Sequence, residues 1–388
     1  AEGYPPGARP QESSALRVCV RPSEVSSTTV SPPSLSVIVP VRNGEQYLEH
    51  SLAALSDSEL PRAQWELIVV DDSSQDRSVE LATPYADRLV RIANGPLGPG
   101  VARNRGAAIA RGAILTFVDA DVCVHRDALG RIVETFTHDP SVSAVFGAYD
   151  SRPSAASLVS QYRNLLHRYV HERDAGEAVT FWAGCGGVRA AVFSGCGGFD
   201  ETEHSKSSIE DIQLGYRMSS SGYRIRLQPE IQGTHLKRWT LGNMIRTDLF
   251  GRGLPWVRLL LRGNIRPAAT LNLRPSEQMC TVLVALGLFA LVIWVVSGDR
   301  TALGVAGAAV LAMLAANAPL LAWFGRQRGW WFVVQVIPLR VLYYALNAIA
   351  VIGGLVAFAR EQQRRPSQDD KSSAPTRGAP SKRAAGAG

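Results

Sequence analysis

The sequence is poor in the features that mark several large enzyme classes. It has five cysteines in 388 residues, Cys19, Cys123, Cys185, Cys196 and Cys280, and no C-x-x-C spacing. A zinc site or disulfide framework is therefore not expected, and a reducing compartment is. No G-x-G-x-x-G follows the first apolar strand, which argues against NAD or FAD. No G-x-x-x-x-G-K-[ST] occurs either, which excludes a P-loop NTPase. Net charge is +7, yet no compact Lys/Arg run is interleaved with aromatics. Nucleic acid is thus not an expected partner. The first thirty residues hold no apolar run of signal-peptide length.

What is present is unevenly spread. Residues 1–34 are rich in Pro, Ser and Gly and are expected to be a disordered leader. Residues 35–240 alternate short β-branched runs with helical patterns. Strands are expected at Leu35–Val39, Glu66–Val70, Leu89–Ile92, Ile114–Val118, Ser143–Tyr149 and Tyr223–Leu227. Continuous apolar strands alternating with helices predict an α/β fold, a mostly parallel sheet flanked by helices. A helix is expected over Ala155–His171, and another near Ser207–Arg217 with a serine cap and carboxylates in its first turn. The glycine-rich stretch Phe181–Gly187 reads as a loop that lets backbone approach a ligand. The similar Gly195–Asp200 reads equally as a tight turn.

Residues 241–277 mix Arg246, Arg252, Arg258 and Arg262 with Leu, Trp and Phe, the pattern of a basic amphipathic segment at a membrane interface. Residues 278–359 hold about three apolar segments of near-spanning length: Cys280–Val296, Ala302–Phe324, and Val341–Phe358 behind a partly interfacial Trp330–Leu339. Pro338 and Arg340 interrupt the last region. Arg326 and Arg328 favour a cytoplasmic loop, which puts residues 1–277 on the cytoplasmic side of the inner membrane. Either the last region then crosses an even number of times or the basic tail at 360–388, expected to be disordered, breaks the positive-inside rule.

The chemistry centres on Thr116–Asp121. An apolar strand ends in Asp119 and Asp121, which two-residue spacing sets on one face. Two carboxylates at the tip of a buried strand call for a cation, and oxygen ligands suit Mn²⁺ or Mg²⁺. Asp71 and Asp72 likewise end a strand. Ligands of open α/β sheets bind at the carboxyl ends of strands, so both pairs point to a nucleotide-type site.

Several motifs follow in order: Val37-Ile-Val-Pro40-Val-Arg-Asn43, Val70-Asp71-Asp72-Ser73, Ala102-Arg103-Asn104-Arg-Gly106, Asp119-Ala-Asp121, Gly197-Gly198-Phe199-Asp200-Glu201 and Glu210-Asp211. In this order they resemble a family 2 glycosyltransferase of GT-A fold, over roughly residues 35–240. The resemblance implies that Pro40, Arg42, Glu45, Asp71, Asp72 and Arg103 line a nucleotide pocket. It implies that Asp119 and Asp121 hold a divalent metal and the donor diphosphate, with His235 as third ligand. Asp211 would be the general base, with Glu210 beside it. Gly184, Cys185, Gly186, Arg238 and Trp239 would face sugar or acceptor. Arg238-Trp239 is similar to the end of the Q-x-x-R-W motif of processive polysaccharide synthases, but His235 stands at the glutamine position. A single-addition transferase is therefore expected.

The implied reaction is an inverting displacement from a nucleotide-sugar, UDP by default, to a hydroxyl on a lipid or glycan acceptor. Three other readings compete. A polyprenyl-phosphate acceptor would need no strong base. A non-catalytic nucleotide-sugar-binding subunit would have no use for both acidic pairs. A sugar nucleotidyltransferase would leave the apolar segments unexplained.

Overall fold

The computed structural model describes residues 17–20, 34–201, 209–261 and 274–364. Most of the leader, the serine cap at Ser207–Ser208 and the tail from 365 lie outside the described residues. The strands are β1 (Arg17–Val20), β2 (Leu35–Val41), β3 (Trp65–Asp71), β4 (Arg88–Arg91), β5 (Ile114–Val118), β6 (Val122–Val124), β7 (Val142–Tyr149), β8 (Gly176–Ala178), β9 (Cys185–Arg189) and β10 (Arg224–His235). They form one sheet in the order β1-β4-β3-β2-β5-β9-β7-β10-β6, with β8 paired to β10. β2 through β5 are parallel neighbours, β9 runs antiparallel to β5 and β7, and β10 is parallel to β7. The sheet is mixed α/β with a parallel half, as its apolar strands imply. Residues 17–20, within the stretch expected to lack structure, form β1 on the sheet edge.

The helices are α1 (Leu48–Ser56), α2 (Ser78–Ala82), α3 (Pro99–Ile109), α4 (Ala128–His138), α5 (Leu158–Arg173), α6 (Ala190–Gly195), α7 (Glu210–Ser220), α8 (Leu241–Arg246), α9 (Leu254–Leu261), α10 (Pro275–Ser297), α11 (Arg300–Ala316), α12 (Ala318–Arg328) and α13 (Trp330–Arg364). β2 shows how they cover the sheet. Leu35, Val37, Val39 and Val41 pack in one buried cluster with Leu48, Leu52 and Leu55 of α1 and Ile132 and Phe136 of α4. Ile38 points the other way, into a cluster with Val101 of α3, Phe193 of α6 and Leu214 of α7. Alternate residues face opposite sides, so a strand buried on both faces reads as an unbroken apolar run.

Two expectations are corrected here. Cys185–Arg189, expected as part of a ligand-facing loop, is the interior strand β9. Its glycines answer to packing: a Cβ on Gly187 would lie 2.8 Å from Ile132, and one on Gly186 2.6 Å from the Trp182 carbonyl. The last strand is 12 residues long rather than ending at Leu227, because it passes through an irregularity between Leu227 and Gln232 where it lies along β7. Gly147 makes that irregularity fit, since a Cβ there would overlap the Ile231 carbonyl oxygen. Gly147→Ala is expected to cost about 1–3 kcal/mol, the usual range for overpacking. Thermal unfolding followed by fluorescence checks this, and an unchanged midpoint would show that the backbone yields freely.

The C-terminal helices include two that are long and apolar enough to cross a membrane, Pro275–Ser297 and Trp330–Arg360. A third crossing exists if α11 and α12 form one broken span. The run expected as a single span over Ala302–Phe324 bends by 65° at Asn317. Pro319 begins the next helix there, and a helix accepts proline readily only in its first turn. α13 runs on through Pro338 and Arg340 without a break. Arg340 is buried and bonded to Glu277 (2.9 Å), Asn317 (2.8 Å) and Tyr344 (2.6 Å), so three apolar elements share one paired charge. The 241–261 segment packs against α13, where Gly253 lies close to Ala350 and Gly354 to Val257. Tyr162 and Leu165 of α5, with Trp239, pack into the cluster of Phe324, Phe332 and Val336 and so seat the sheet on α12 and α13.

Candidate active site

The acidic residues gather at the carboxyl ends of the central strands. β5 ends in a tight turn closed by Val122 N–H donating to the Asp119 carbonyl (3.0 Å). Asp119 N–H donates to Gly184 (3.2 Å) and Leu236 N–H to the Asp121 carbonyl (2.8 Å), which fixes the turn between β9 and the end of β10. The Asp119 carboxylate accepts from Arg103 Nη2 at 2.6 Å. Arg103 Nη1 donates to Glu210 at 2.9 Å. This guanidinium is buried and joins α3, β5 and α7, elements 107 residues apart at the extremes. Arg103, expected to line a nucleotide pocket, thus sits beneath the carboxylates as their counter-charge, and Glu210 is buried against it.

Asp211 is the next residue of the α7 first turn. Its Oδ2 accepts from the Ala183 N–H (3.2 Å) and its Oδ1 from the Ile212 N–H (2.8 Å). Burial pushes its carboxyl up to about 7, Glu210 adds to this, and Arg103 opposes it. Burial also raises Asp119, against the pull of Arg103 and with the help of Asp121. Burial would raise Asp121 too, but the hydrogen bond and charge of His235, with Lys237 nearby, hold it below the ordinary carboxylate value.

His235 closes β10. Its Nε2 faces Asp121 at 3.4 Å, its Nδ1 meets Asn164 Oδ1 at 2.7 Å, and its ring stacks on Tyr149 at 4.4 Å. The amide oxygen at Nδ1 orients the ring, so that Nε2 is the nitrogen turned toward Asp121. Among the described residues no group of three His, Cys, Asp or Glu side chains is placed to hold a metal ion. Two carboxylates on one turn and an imidazole nitrogen beside one of them are nonetheless donors that suit Mn²⁺ or Mg²⁺.

The other expected residues spread along the same sheet edge. Asp71 is buried at the end of β3, bonded to Ser74 N–H (3.2 Å) and 3.8 Å from Arg91. Asp72 accepts from the Leu97 and Gly98 amides, both at 2.8 Å, and so clamps the glycine-rich loop before α3. Glu45 bonds the Arg77 amide (3.3 Å), while Pro40 and exposed Arg42 stand at the end of β2. Gly184 adjoins Asp119, but Cys185 and Gly186 lie inside β9 with the Cys185 side chain fully buried. Trp239 is buried between Arg163 (5.1 Å) and Lys237 (4.7 Å), and exposed Arg238 bonds Tyr47 through its amide (3.3 Å). The Gly197-Gly198-Phe199 turn serves the core: Asn104 brackets Phe199 with two hydrogen bonds, and Phe199 packs edge-on against Phe117.

Sequence reasoning missed the wall behind His235. Asn164, His167 and His171 recur at helical spacing: Asn164 meets His235, His167 packs on Tyr149 and Trp182, and His171 meets Trp182 edge-on. That polar periodicity on α5 was the available signal. These residues open a cavity of about 880 Å³ that runs from His235, Tyr149 and Trp182 to α9, α10 and α13.

Known proteins bear on this geometry. Glycosyltransferase AglE of Haloferax volcanii is 28% identical over 62% of this chain and 79% of its own length. A pre-mycofactocin glycosyltransferase of Mycobacterium tuberculosis is 28% identical over 72% of this chain but only 56% of its own length. Among solved structures, the mannosyltransferase PcManGT from Pyrobaculum calidifontis, in complex with GDP-Man and Mn²⁺, shares the fold. It superposes with a TM-score of 0.53 at 22% identity, over 83% of this chain and 90% of that one. Residues 36–196 match the model for glycosyl transferase family 2, so the chain carries a family 2 domain of GT-A fold and is a glycosyltransferase.

Proposed function

We infer that the protein is a membrane-anchored, inverting transferase that moves a sugar from a nucleoside-diphosphate donor to a hydroxyl of a lipid-linked or cell-envelope glycan. Residues 35–240 act as the catalytic domain, 241–277 as its interfacial segment and 278–359 as the anchor. The observation that carries this reading is the Asp119–Arg103–Glu210 linkage, which sets Asp211 on the same wall as the paired aspartates. Asp211 takes the proton of the acceptor hydroxyl as its oxygen bonds to the anomeric carbon. The bond from that carbon to the β-phosphate oxygen breaks, and the nucleoside diphosphate departs from the opposite face, so the centre inverts. Asp119, Asp121 and His235 are the residues that would hold Mn²⁺ or Mg²⁺, whose positive charge would favour loss of the diphosphate.

The nucleotide lies along Pro40, Arg42, Glu45, Asp71 and Asp72, and the sugar approaches Gly184. The donor complex of PcManGT supports a nucleotide-sugar here, with UDP the first base to test. Arg328 follows the broken apolar pair and bonds the Ser151 carbonyl (2.6 Å), so that turn and the sheet share one side. Basic residues at the turn support the cytoplasmic side of the inner membrane.

Calorimetry tests the donor site. Full-length protein is titrated with UDP-, GDP- and dTDP-sugars in Mn²⁺, Mg²⁺ or EDTA. One donor is expected to bind only with metal, and Asp121→Ala to weaken it at least tenfold. Binding that is the same in EDTA and in the variant would remove the metal from this reading.

A further inference from the structure

The His235 ring is held on two sides. Its face stacks on Tyr149 at 4.4 Å, with the two planes 7° apart. A stack fixes the plane of an imidazole but not which edge points where. A half-turn about the Cβ–Cγ bond would exchange Nδ1 with Cδ2 and Nε2 with Cε1, and would set a carbon toward Asp121. Nδ1 lies 2.7 Å from Asn164 Oδ1, a contact that the turned ring would lose. His235 is buried, which leaves little room for water to replace the amide. Asn164 is itself 1% exposed, and its Nδ2 is buried without a hydrogen-bond partner among the described residues. An unpaired buried donor is a cost to the fold, so stability does not account for an amide at this position. α5 makes the contact stiff. Tyr162 and Leu165, on either side of Asn164 in sequence, pack against Phe324 and Val336. Ser160, one turn earlier, accepts from the Trp239 N–H at 2.7 Å, so the ring and the backbone that follows it are both held by one helix.

We propose that Asn164 is a positioning residue for the metal: its amide oxygen selects the ring orientation in which His235 Nε2 faces Asp121, 3.4 Å away. It acts through His235. An imidazole lends a metal one ring nitrogen, and the bond made by the other nitrogen decides how the ring is turned. Removing such an outer partner weakens metal binding even though the ligand itself is unchanged. The inference rests on the reading of His235 as the third ligand beside Asp119 and Asp121, and it assigns the partner that this reading needs.

Full-length protein in phosphatidylcholine nanodiscs is titrated with Mn²⁺ alone. Free Mn²⁺ is read by electron paramagnetic resonance, and bound Mn²⁺ by spin-echo envelope modulation, which detects a coordinated imidazole nitrogen. The wild type is expected to show the nitrogen signal, and His235→Ala to lose it. Asn164→Leu fills the volume without the oxygen, and Asn164→Ala removes the oxygen without adding bulk. Each should bind Mn²⁺ about tenfold more weakly, the low end of the range for loss of an outer partner, and lose most of the nitrogen signal. Asn164→Asp keeps an oxygen at the ring and should retain both. Thermal unfolding followed by tryptophan emission identifies the variants that keep the fold, and a lost signal at an unchanged midpoint separates positioning from a structural role. Wild-type affinity and signal in a folded Asn164→Leu or Asn164→Ala overturns the proposal, and so does an Asn164→Asp that binds as weakly as they do. Mn²⁺ that binds the wild type, is lost in Asp121→Ala and carries no nitrogen signal also overturns it, while the paired aspartates keep their role. A wild type that binds no Mn²⁺ removes the metal from the transferase reading and this assignment with it.

Discussion

Asp211→Asn is expected to lower turnover by about a thousandfold, within the 10²–10⁴ that a positioned general base contributes. Asparagine keeps the shape of the carboxylate and one accepting oxygen, so it loses one of the two bonds from the Ala183 and Ile212 amides while the donor site should survive. What it lacks is a basic oxygen for the acceptor proton. Release of nucleoside diphosphate in a coupled assay, with donor affinity from calorimetry, separates the two effects. If the variant kept activity within tenfold of wild type with donor binding intact, no base would be required. The acceptor oxygen would then already be an anion, as in a lipid phosphate that reacts through its own phosphate.

The same carboxylate sets the expected pH profile. Its carboxyl is pushed up to about 7, chiefly by burial, with Glu210 adding to the rise and Arg103 and Arg252 facing it as cations. A base works in its ionised form. Activity at low substrate should therefore rise with pH, pass half-maximum near 7 and level off above it. Asp211→Asn should lose this limb. A wild-type profile flat from pH 5.5 to 8.5 would exclude Asp211 as the group whose ionisation limits the rate.

The part of this site that lies at strand ends was open to reading from the sequence. Asp71, Asp72, Asp119 and Asp121 each follow an apolar run, and the parallel half of the sheet carries all of those runs. What the sequence hid depends on partners far along the chain. The Cys185–Gly187 stretch looks like a loop because glycine has no side chain to alternate, yet Phe181, Trp182 and Ile132 fill the space its missing Cβ atoms leave. Pro338 looks like a break, but Val336 and Leu339 are buried in the cluster with Phe324 and Trp239, and packing outweighs the lost helical hydrogen bond. Arg340 looks like a charge stranded in an apolar helix, and its partner Glu277 is 63 residues away. No local pattern announces that Asn164 supports His235 or that Arg103 belongs to Asp119 and Glu210 at once.

The Arg103 linkage makes the second large effect. Arg103→Leu leaves the buried Glu210 and the partly exposed Asp119 without their cation, and Phe199 loses the guanidinium 5.5 Å from its ring centre. Breaking a buried pair by removing one member costs about 3–5 kcal/mol, because the remaining charge has no compensation. The loss should depend on pH in a definite sense. Glu210 is already raised above its ordinary value, chiefly by burial and against the pull of Arg103. Without that pull it rises further, so the folded variant binds a proton more tightly than the unfolded chain does. The protonated carboxyl is tolerated in the fold at low pH, and this relief disappears as pH climbs through the raised value. The deficit of Arg103→Leu relative to wild type should therefore be smaller at pH 5 than at pH 8, as measured by denaturant unfolding at both. Adding Glu210→Leu to Arg103→Leu should recover part of the stability but none of the activity, since Asp119 is still without its counter-charge and Asp211 without its neighbour. Equal deficits at the two pH values would mean that Arg103 acts through packing on Phe199 and α3 rather than through its charge. In that case a methionine, which fills the same space without the charge, should restore stability where lysine does not.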